Sequence, residues 1–343
     1  MNDSTPARGW WPRLLPGSQR KPIDALADHL DLTRGDASAK QSAFWSMLLI
    51  SAVIAGAGVL ADSTATVIGA MIIAPLSTPI MGMALGIVTG DRRLLLRSAG
   101  FVALGFAAVV AVGVLASLAI PGNANLLANA QVSGRTSPRL ADLAAAVATG
   151  LAGAVGLSRR DVSDVLPGVA IAISLVPPLA VAGVCAGQGE FALGAGALVL
   201  FASNVVSLVL AGTMVFAGYG YAREARGTAR GTVRGPRAGY AAITLLLVVL
   251  IVPLGANTAA NLQVDRWTQR ITTIAGRWIA AVPGAEVVTV TVASRTAVID
   301  VLTPQPLPSV GDLLTALHGQ VPAGVRIVVE AVHGQRLDAG TVP

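Results

Sequence analysis

Seven long stretches of this chain carry no charged side chain, and they limit the folds that the chain can adopt. Six of them exceed the run of about 18 residues at which an apolar segment is interpreted as a transmembrane helix. The fourth is slightly shorter, and we count it with the others as a candidate crossing. The stretches are 41–61, 63–90, 98–134, 143–158, 165–189, 191–222 and 238–264.

The composition agrees with this interpretation and excludes several classes of protein. Hydrophobic residues make up 54% of the 343 residues and charged residues only 12%, whereas about 25% is usual for charged residues in soluble domains. So few charges cannot cover an ordinary soluble enzyme. A disordered chain and a disulfide-rich secreted domain are excluded by the apolar content and the single cysteine. We therefore expect an integral membrane protein whose main partner is the lipid bilayer.

The remaining composition gives no sign of a cofactor or a nucleic-acid partner. The three histidines lie outside the apolar stretches and lack the spacing of metal ligands. The net charge is +6, but the arginines form short clusters between the apolar stretches, and aromatic residues that would stack on bases are only 4%. We expect no cofactor, no metal and no nucleic acid.

The arginines and lysines between the stretches predict the orientation of the chain. If all seven stretches cross, twelve of these residues fall on one side and only Arg135 and Arg139 on the other. If the second and fifth stretches are re-entrant, the count becomes nine against five. The first count fits the positive-inside rule better. We therefore expect a multi-pass protein of the cell (cytoplasmic or inner) membrane, with its N-terminus in the cytoplasm and its C-terminus outside.

Two blocks of the sequence match each other when the chain is shifted by 99 positions. The shift aligns Pro79 with Pro178, for example, and Gly90 with Gly189. Each block (40–120 and 139–219) holds three stretches, and because three is odd the second block enters the membrane from the opposite side. Inverted repeats of this kind are typical of secondary transporters, with the site at the repeat interface. The alternative is that two unrelated apolar segments align because their compositions are alike.

Two segments within these blocks resemble a known family. They are ADSTATVIGAMIIAPLSTPIMG at 61–82 and DVSDVLPGVAIAISLVPPLAVAG at 161–183. Both are similar to signature stretches of the bacterial and archaeal "uncharacterised hydrophobic domain" family, a family of membrane proteins of unknown function, and the resemblance extends over about residues 40–220. Ser77 departs from the pattern, which has a large apolar residue there. The resemblance implies an integral membrane protein and no particular activity.

Prolines interrupt the middle helix of each block. In the first block, Pro75 and Pro79 make a straight helix costly by about 3 kcal/mol or more, so we predict half-helices over 63–74 and 80–89. We expect Thr78 to cap the second half-helix, with Pro79 at its first position. The second block repeats the device with Ser174, Pro177 and Pro178.

These two helix breaks form the candidate binding site. Free N–H groups at the start of a half-helix suit an anion, and free carbonyls at the end of the preceding half-helix suit a cation. Asn204, in the middle of its stretch, is expected to face inward, either lining a cavity or joining helices through hydrogen bonds. The alternative for the prolines is a structural kink alone. The candidate ligands of a solute or ion are Ser77, Thr78, Ser174, Asn204 and Asp62.

Asp62 has two interpretations. The first is a helix N-cap at the membrane interface, where the helix dipole favours a carboxylate. The second is a carboxylate that couples transport to a proton or cation, because no polar loop separates the first two helices around it.

The chain also has parts that lie outside the predicted transmembrane domain of 41–256, whose last helix is 238–256. The N-terminal segment (1–40) contains a short amphipathic helix near 22–33. The C-terminal segment (257–343) changes in composition and predicts a small α+β domain. Its helices are expected at 258–281 and 310–319, and its strands at 286–293, 296–302 and 325–332.

The predicted fold is thus an all-α polytopic membrane domain of about seven transmembrane helices, built from two inverted three-helix repeats with proline-broken middle helices, plus a small C-terminal α+β domain. Its function is expected to be that of a transporter or channel for a small solute or ion. A membrane scaffold or sensor that acts through the C-terminal domain is the alternative. An enzyme is not expected, because no histidine lies in a span. A homo-oligomer is compatible with these features.

Overall fold

The computed structural model describes residues 19–119, 126, 129–161, 175–227, 252, 255, 263, 266–293, 296–322 and 324–333. The chain divides into two compact units, Met1–Gly255 and Ala256–Pro343. The structure is mostly helical with a small sheet near the C-terminus. This confirms the coarse prediction of an all-helical part followed by a small domain that contains strands.

The described part of the first unit contains ten helices. They are α1 (Ile23–Leu30), α2 (Ala37–Leu60), α3 (Thr64–Ile73), α4 (Ser77–Thr89), α5 (Arg92–Ser117), α6 (Ala130–Thr136), α7 (Leu140–Ser158), α8 (Val176–Gly187), α9 (Phe191–Gly218) and α10 (Tyr221–Gly227).

Short polar side chains set where several of these helices begin. The carboxylate of Asp36 accepts the N–H of Ala39 at the start of α2, 3.0 Å away. The carboxylate of Asp91 accepts the N–H groups of Arg93 and Leu94 at the start of α5, both at 3.0 Å. These bonds satisfy N–H groups that have no partner inside the helix. Helices of mainly apolar residues therefore start at defined positions.

Four of the described helices are long and apolar enough to cross a membrane: α2, α5, α7 and α9. The pair α3 and α4 would make a fifth crossing, bent by 48° at its break. Several large apolar side chains on the outer surfaces of α2 and α5 are exposed, among them Val53, Leu104 and Leu115, as lipid contact requires. Of the two further predicted crossings, α8 is only 12 residues long, and the last helix at 238–256 lies outside the described residues.

The break in the first middle helix is present, but its geometry differs from the prediction. Helix α3 ends at Ile73 and α4 begins at Ser77, with Leu76 as the N-cap residue. The expected cap at Thr78 is wrong: Thr78 and Pro79 are the second and third residues of α4. In the first turn of a helix, the N–H groups have no partner within the helix. A proline, which has no N–H group, is therefore tolerated at any position of that turn. The helix can therefore start two residues before Pro79.

Helix α8 begins in the same way as α4. Its first residue is Val176, and Pro177 and Pro178 follow within the first turn. Both prolines are buried. The predicted break residue Ser174 lies outside the described residues.

Glycines bring the long helices into close contact. A Cβ added to Gly113 of α5 would stand 3.0 Å from the Cα of Gly183 in α8. A Cβ added to Gly212 of α9 would stand 2.8 Å from the Cβ of Ala84 in α4. Only a residue without a side chain allows backbones to approach this closely, as in the small-residue interfaces of membrane helices.

The second unit is a small α+β domain, and its predicted elements agree with the structure where the chain is described; most of 258–265, the start of the predicted first helix, lies outside the described residues. A helix over 266–279, here α11, precedes the antiparallel pair β1 (Glu286–Ala293) and β2 (Thr296–Thr303). Helix α12 (Val310–Leu317) then leads to β3 (Arg326–His333), which pairs in parallel with β2, so the strand order is β1-β2-β3. Both helices contribute to one core with the sheet, which includes Ile271, Ala275, Ile299, Leu313 and Leu317.

Candidate functional site

A cavity of about 570 Å³ lies at the break between α3 and α4. We call it the N-terminal cavity, because Lys21, Asp28 and His29 of the N-terminal segment line it. The break contributes Pro75 and Thr78. The other walls are the start of α2, at Lys40–Met47, and the end of α7, at Leu157.

Charged groups cluster on the side of the N-terminal cavity that α1 forms. The ammonium of Lys40 donates to the carbonyl of Asp28 at 2.6 Å and to its carboxylate at 3.1 Å. Burial is the main cause that lowers the pKa of His29, and the charges of Lys21 and Lys40 lower it further, while Asp28 raises it. The neutral imidazole is therefore favoured in the folded protein.

Helix α1 is held over this cavity by contacts with the segment that follows α9. The hydroxyl of Tyr221 donates to the carbonyl of Lys21 at 2.9 Å. The guanidinium of Arg20 forms an ion pair with Glu224 and lies 4.0 Å from the ring centre of Tyr221. The N–H of Ile23, the first residue of α1, donates to Glu224 at 3.2 Å. These bonds fix the start of α1 and so the outer wall of the cavity.

A second cavity, of about 310 Å³, lies at the start of α8. We call it the Asn204 cavity. Asn204, which is 3% exposed, lines it together with Pro178 of α8 and Met71 of α3. Arg135 and Asp142 supply its charged groups. A polar amide in the middle of an apolar helix, next to two charged groups, is the kind of lining that fixes a small ligand.

The guanidinium of Arg135 is the least compensated charge in this lining. Its Nη1 donates to the carbonyl of Gln131 at 2.9 Å and to the side-chain oxygen of Gln131 at 3.1 Å. Within the described residues it forms no ion pair, and burial lowers its pKa. Asp142 is engaged elsewhere, since its carboxylate accepts the N–H of Arg139 at 2.7 Å. A partly buried cation without a carboxylate partner is an attractive contact for a negatively charged group.

The two cavities lie at opposite ends of α7. Asp142, near the start of this helix, lines the Asn204 cavity, and Leu157, near its end, lines the N-terminal cavity. Fifteen residues of helix separate them, about 22 Å at 1.5 Å per residue. Helix α7 is one of the helices able to cross a membrane. Each cavity is therefore associated with a different end of a candidate span.

The residues of the two cavities that are nearest in sequence lie at the break between α3 and α4. Met71, in the last turn of α3, lines the Asn204 cavity. Ile73 and Pro75 line the N-terminal cavity. Only the five residues 71–75 thus lead from one cavity to the other.

The structure divides the predicted ligands between these cavities. Pro75 and Thr78 line one and Pro178 and Asn204 line the other, so Thr78 and Asn204 do not share a site. Ser77 is the first residue of α4, half-buried, and lines neither cavity. A common site would require both breaks to line one cavity, and the two cavities have no lining residue in common.

Asp62 lies in the turn that ends α2 and does not cap the start of α3. Its φ of 48° is left-handed, and the N–H of Ser63 donates back to the carbonyl of Gly58 at 2.9 Å, which closes α2. The side chain of Ser63, and not of Asp62, caps α3. The carboxylate of Asp62 is exposed and accepts the N–H of Gln131 at 3.1 Å. The prediction that Asp62 is an N-cap is therefore wrong, and Asp62 lines neither cavity described above.

Arg135 and Asp142 were not among the predicted ligands. From the sequence, Arg135 contributes only to the prediction of membrane orientation, because it lies in the connection between the two blocks. The available signal was the shortness of the fourth uncharged stretch, which starts directly after Asp142. A carboxylate at the edge of a short span indicates a charge close to the apolar region.

The four or five candidate spans among the described helices indicate a helical membrane protein. Residues 71–210 match the model of a family described as "Domain of unknown function (DUF389)". The match confirms the resemblance to a family of unknown function, and it contains Asn204, Pro178 and the whole of α4 to α8.

One similar protein is an uncharacterized protein of Methanocaldococcus jannaschii, 33% identical over 174 residues. These residues are 51% of this chain and 53% of that protein, so the chain spans about half the length of this relative. No solved structure matches the chain.

Proposed function

We propose that the first unit transports a small polar solute or ion across the cell membrane, as a transporter or channel, and that it is not an enzyme. The observation that carries the proposal is the pair of cavities at opposite ends of α7, separated by residues 71–75. Non-helical backbone inside a membrane persists only where protein or a water-filled cavity satisfies it. Gated transport requires two cavities that approach each other from opposite ends of a span and are separated by a short segment, here residues 71–75.

The helix bounds support the proposed inverted repeat. Helices α4 and α5 begin at Ser77 and Arg92, and α8 and α9 begin at Val176 and Phe191. Both pairs of starts differ by 99 positions, the offset found in the sequence. Helices α2 and α7 are the corresponding first members of the two blocks. The counterpart of α3 falls at 163–172, outside the described residues.

The glycine contacts support the repeat more strongly, because they involve packing in space. Gly113 of α5 lies against Ala180 and Gly183 of α8. Gly212 of α9 lies against Met81 and Ala84 of α4. Every residue of the second contact is offset by 99 from its counterpart in the first. Two unrelated apolar segments would have no reason to form the same contact at equivalent positions.

In the proposed topology, all seven predicted segments cross the cell membrane. The N-terminus is cytoplasmic, so the N-terminal cavity opens to the cytoplasm and the Asn204 cavity opens to the outside. The second unit then lies outside. The exposed apolar surfaces of α2 and α5 face lipid.

The proposed mechanism is a small movement of one repeat against the other. The glycine contacts have few side chains to interlock, so α5 can shift along α8 at low cost. A shift at 71–75 would open the wall between the cavities. Arg135 contacts the negatively charged part of the solute, and the Asn204 amide positions it by hydrogen bonding.

The experiment is a flux assay in proteoliposomes with a panel of small anions, cations and zwitterions. We expect at least one solute to cross with the wild type and its flux to fall at least tenfold in Asn204→Leu and in Arg135→Gln. Arg139→Gln is the matched control, because Arg139 is an exposed neighbour that does not line the cavity. Equal flux for wild type, Asn204→Leu, Arg135→Gln and empty vesicles would exclude the proposal in favour of a scaffold or sensor.

A further inference from the structure

The second unit has a wide groove of its own, of about 810 Å³, between α11 and α12. Seven of its ten lining residues are polar or charged. Three arginines of α11 line it, together with Trp278 and with Asp312 and Gln320 of the α12 side. The arginines are Arg266, Arg270 and Arg277.

The spacing of these arginines places them in one row along α11. At 100° per residue, the steps of four and seven residues return to within about 40° of the same direction. From Arg266 to Arg277 the row is about 16 Å long at 1.5 Å per residue. A single small anion can contact only part of this row, so the row suits an anion with several charged groups.

Arginine is concentrated in this groove relative to the rest of the second unit. Residues 256–343 contain six arginines and six acidic residues, so the unit carries no net charge from these groups. Half of the arginines line the groove, whereas Asp312 is its one acidic residue. This segregation is not a consequence of a generally basic domain.

The groove arginines are available for a ligand. Among the described residues, Arg266 and Arg277 take part in no ion pair, and both are exposed. Arg270 donates to the carbonyl of Gln320 at 3.2 Å and so connects the two helices across the groove. Trp278 is held by a bond from its Nε1 to the carbonyl of Ser309 at 3.0 Å. Arg270 and Trp278 therefore hold the two sides of the groove together, while the guanidinium groups of Arg266 and Arg277 remain available to a ligand.

We propose that this groove binds an anion that carries two or more phosphate groups. A guanidinium offers two parallel N–H donors that match two phosphate oxygens, which favours phosphate over a monovalent anion. The length of the row allows phosphates to be held at both ends. The same chemistry is offered by a soluble polyphosphate and by two or more neighbouring head groups at an anionic phospholipid surface. The proposal is independent of transport by the first unit.

The first arm of the test uses the full chain in a neutral detergent, titrated calorimetrically with tripolyphosphate. We expect binding to the wild type and at least a tenfold weaker affinity for the double variant Arg266→Gln, Arg277→Gln. Arg326→Gln is the matched control, since it removes an exposed arginine of the same unit that does not line the groove. The fold of each variant is checked by its thermal unfolding, which the loss of Arg266 and Arg277 should leave unchanged.

The second arm tests the lipid source by hydrogen exchange of 266–279 in lipid nanodiscs. Slower exchange with phosphatidylglycerol than with phosphatidylcholine alone, lost in the double variant and kept in Arg326→Gln, assigns the groove to lipid head groups. Tripolyphosphate binding without this lipid effect assigns it to a soluble ligand. Neither effect, or an equal loss in Arg326→Gln, overturns the proposal.

Discussion

Gly113 of α5 and Gly183 of α8 meet backbone to backbone. A Cβ added to Gly183 would stand 2.8 Å from the Cα of Gly113, and one added to Gly113 would stand 3.0 Å from the Cα of Gly183. Neither position tolerates a methyl group unless the helices separate, because the neighbouring atoms belong to the main chain. This contact therefore sets the distance between α5 and α8.

We expect Gly183→Ala to destabilise the first unit. Forcing the two helices apart should cost about 1–3 kcal/mol, the usual penalty for overpacking a close contact. Thermal unfolding in detergent measures the change as a lower midpoint. The control is Gly100→Ala, also in a helix but with open space around its Cβ, which should be neutral or stabilising by up to about 1 kcal/mol. Equal midpoints for the two variants would contradict the close contact.

The proposed sidedness of the two cavities can be measured with cysteine labelling. We expect Thr78→Cys to react with a membrane-impermeant maleimide only from the cytoplasmic side, and Ala145→Cys only from the opposite side, because they line different cavities. The wild type is the control, since its single cysteine, Cys185, is fully buried. Reaction of both introduced cysteines from the same side would disprove the assignment of the cavities to opposite faces.

Two tyrosines near the end of α9 make a matched pair for testing how α1 is held. Tyr221→Phe removes the bond from the hydroxyl to the carbonyl of Lys21 and should cost about 0.5–1.5 kcal/mol. The buried hydroxyl of Tyr219 has no hydrogen-bond partner among the described residues, so Tyr219→Phe should be neutral or stabilising. Denaturant unfolding and hydrogen exchange of α1 measure both effects. The opposite order of stability would refute the contact.

His29 should make stability depend on pH. Its pKa in the folded protein lies below the ordinary value of 6.5, with burial as the main cause. As the pH falls from about 7 towards about 5, the unfolded chain binds a proton that the folded chain resists, so stability falls. His29→Gln should reduce this slope, as seen in unfolding midpoints at both pH values. An unchanged slope would show that His29 does not contribute.

Much of the fold followed from local rules of sequence. Charge-free stretches predicted the helices, prolines predicted the first break, and alternation predicted the strands of the second unit. The cap at Thr78 was misplaced because the first turn of a helix accepts a proline at several positions, and the choice among them depends on packing around Leu76, which is fully buried. Such packing is a property of the whole fold and not of the local sequence.

The candidate site was predicted less completely than the fold. Asn204 and Pro178 were identified from their own positions, since an amide and a proline are unusual inside apolar stretches. Arg135 could not be placed beside them, because it reaches the cavity only through the position of α6 against α9. Arg135 and Asn204 are 69 positions apart in the sequence, and the distance between them in space depends on how the helices pack.

The exchange of partners between the halves of the first unit has a consequence for its origin. Because α5 lies against α8 and α9 lies against α4, each half completes the core of the other. On the proposed inverted repeat, two copies of one half, inserted in opposite directions, would form both contacts without a third partner. A short ancestral chain able to enter the bilayer either way round would already have had this architecture as a homodimer, before duplication and fusion gave each copy a fixed direction.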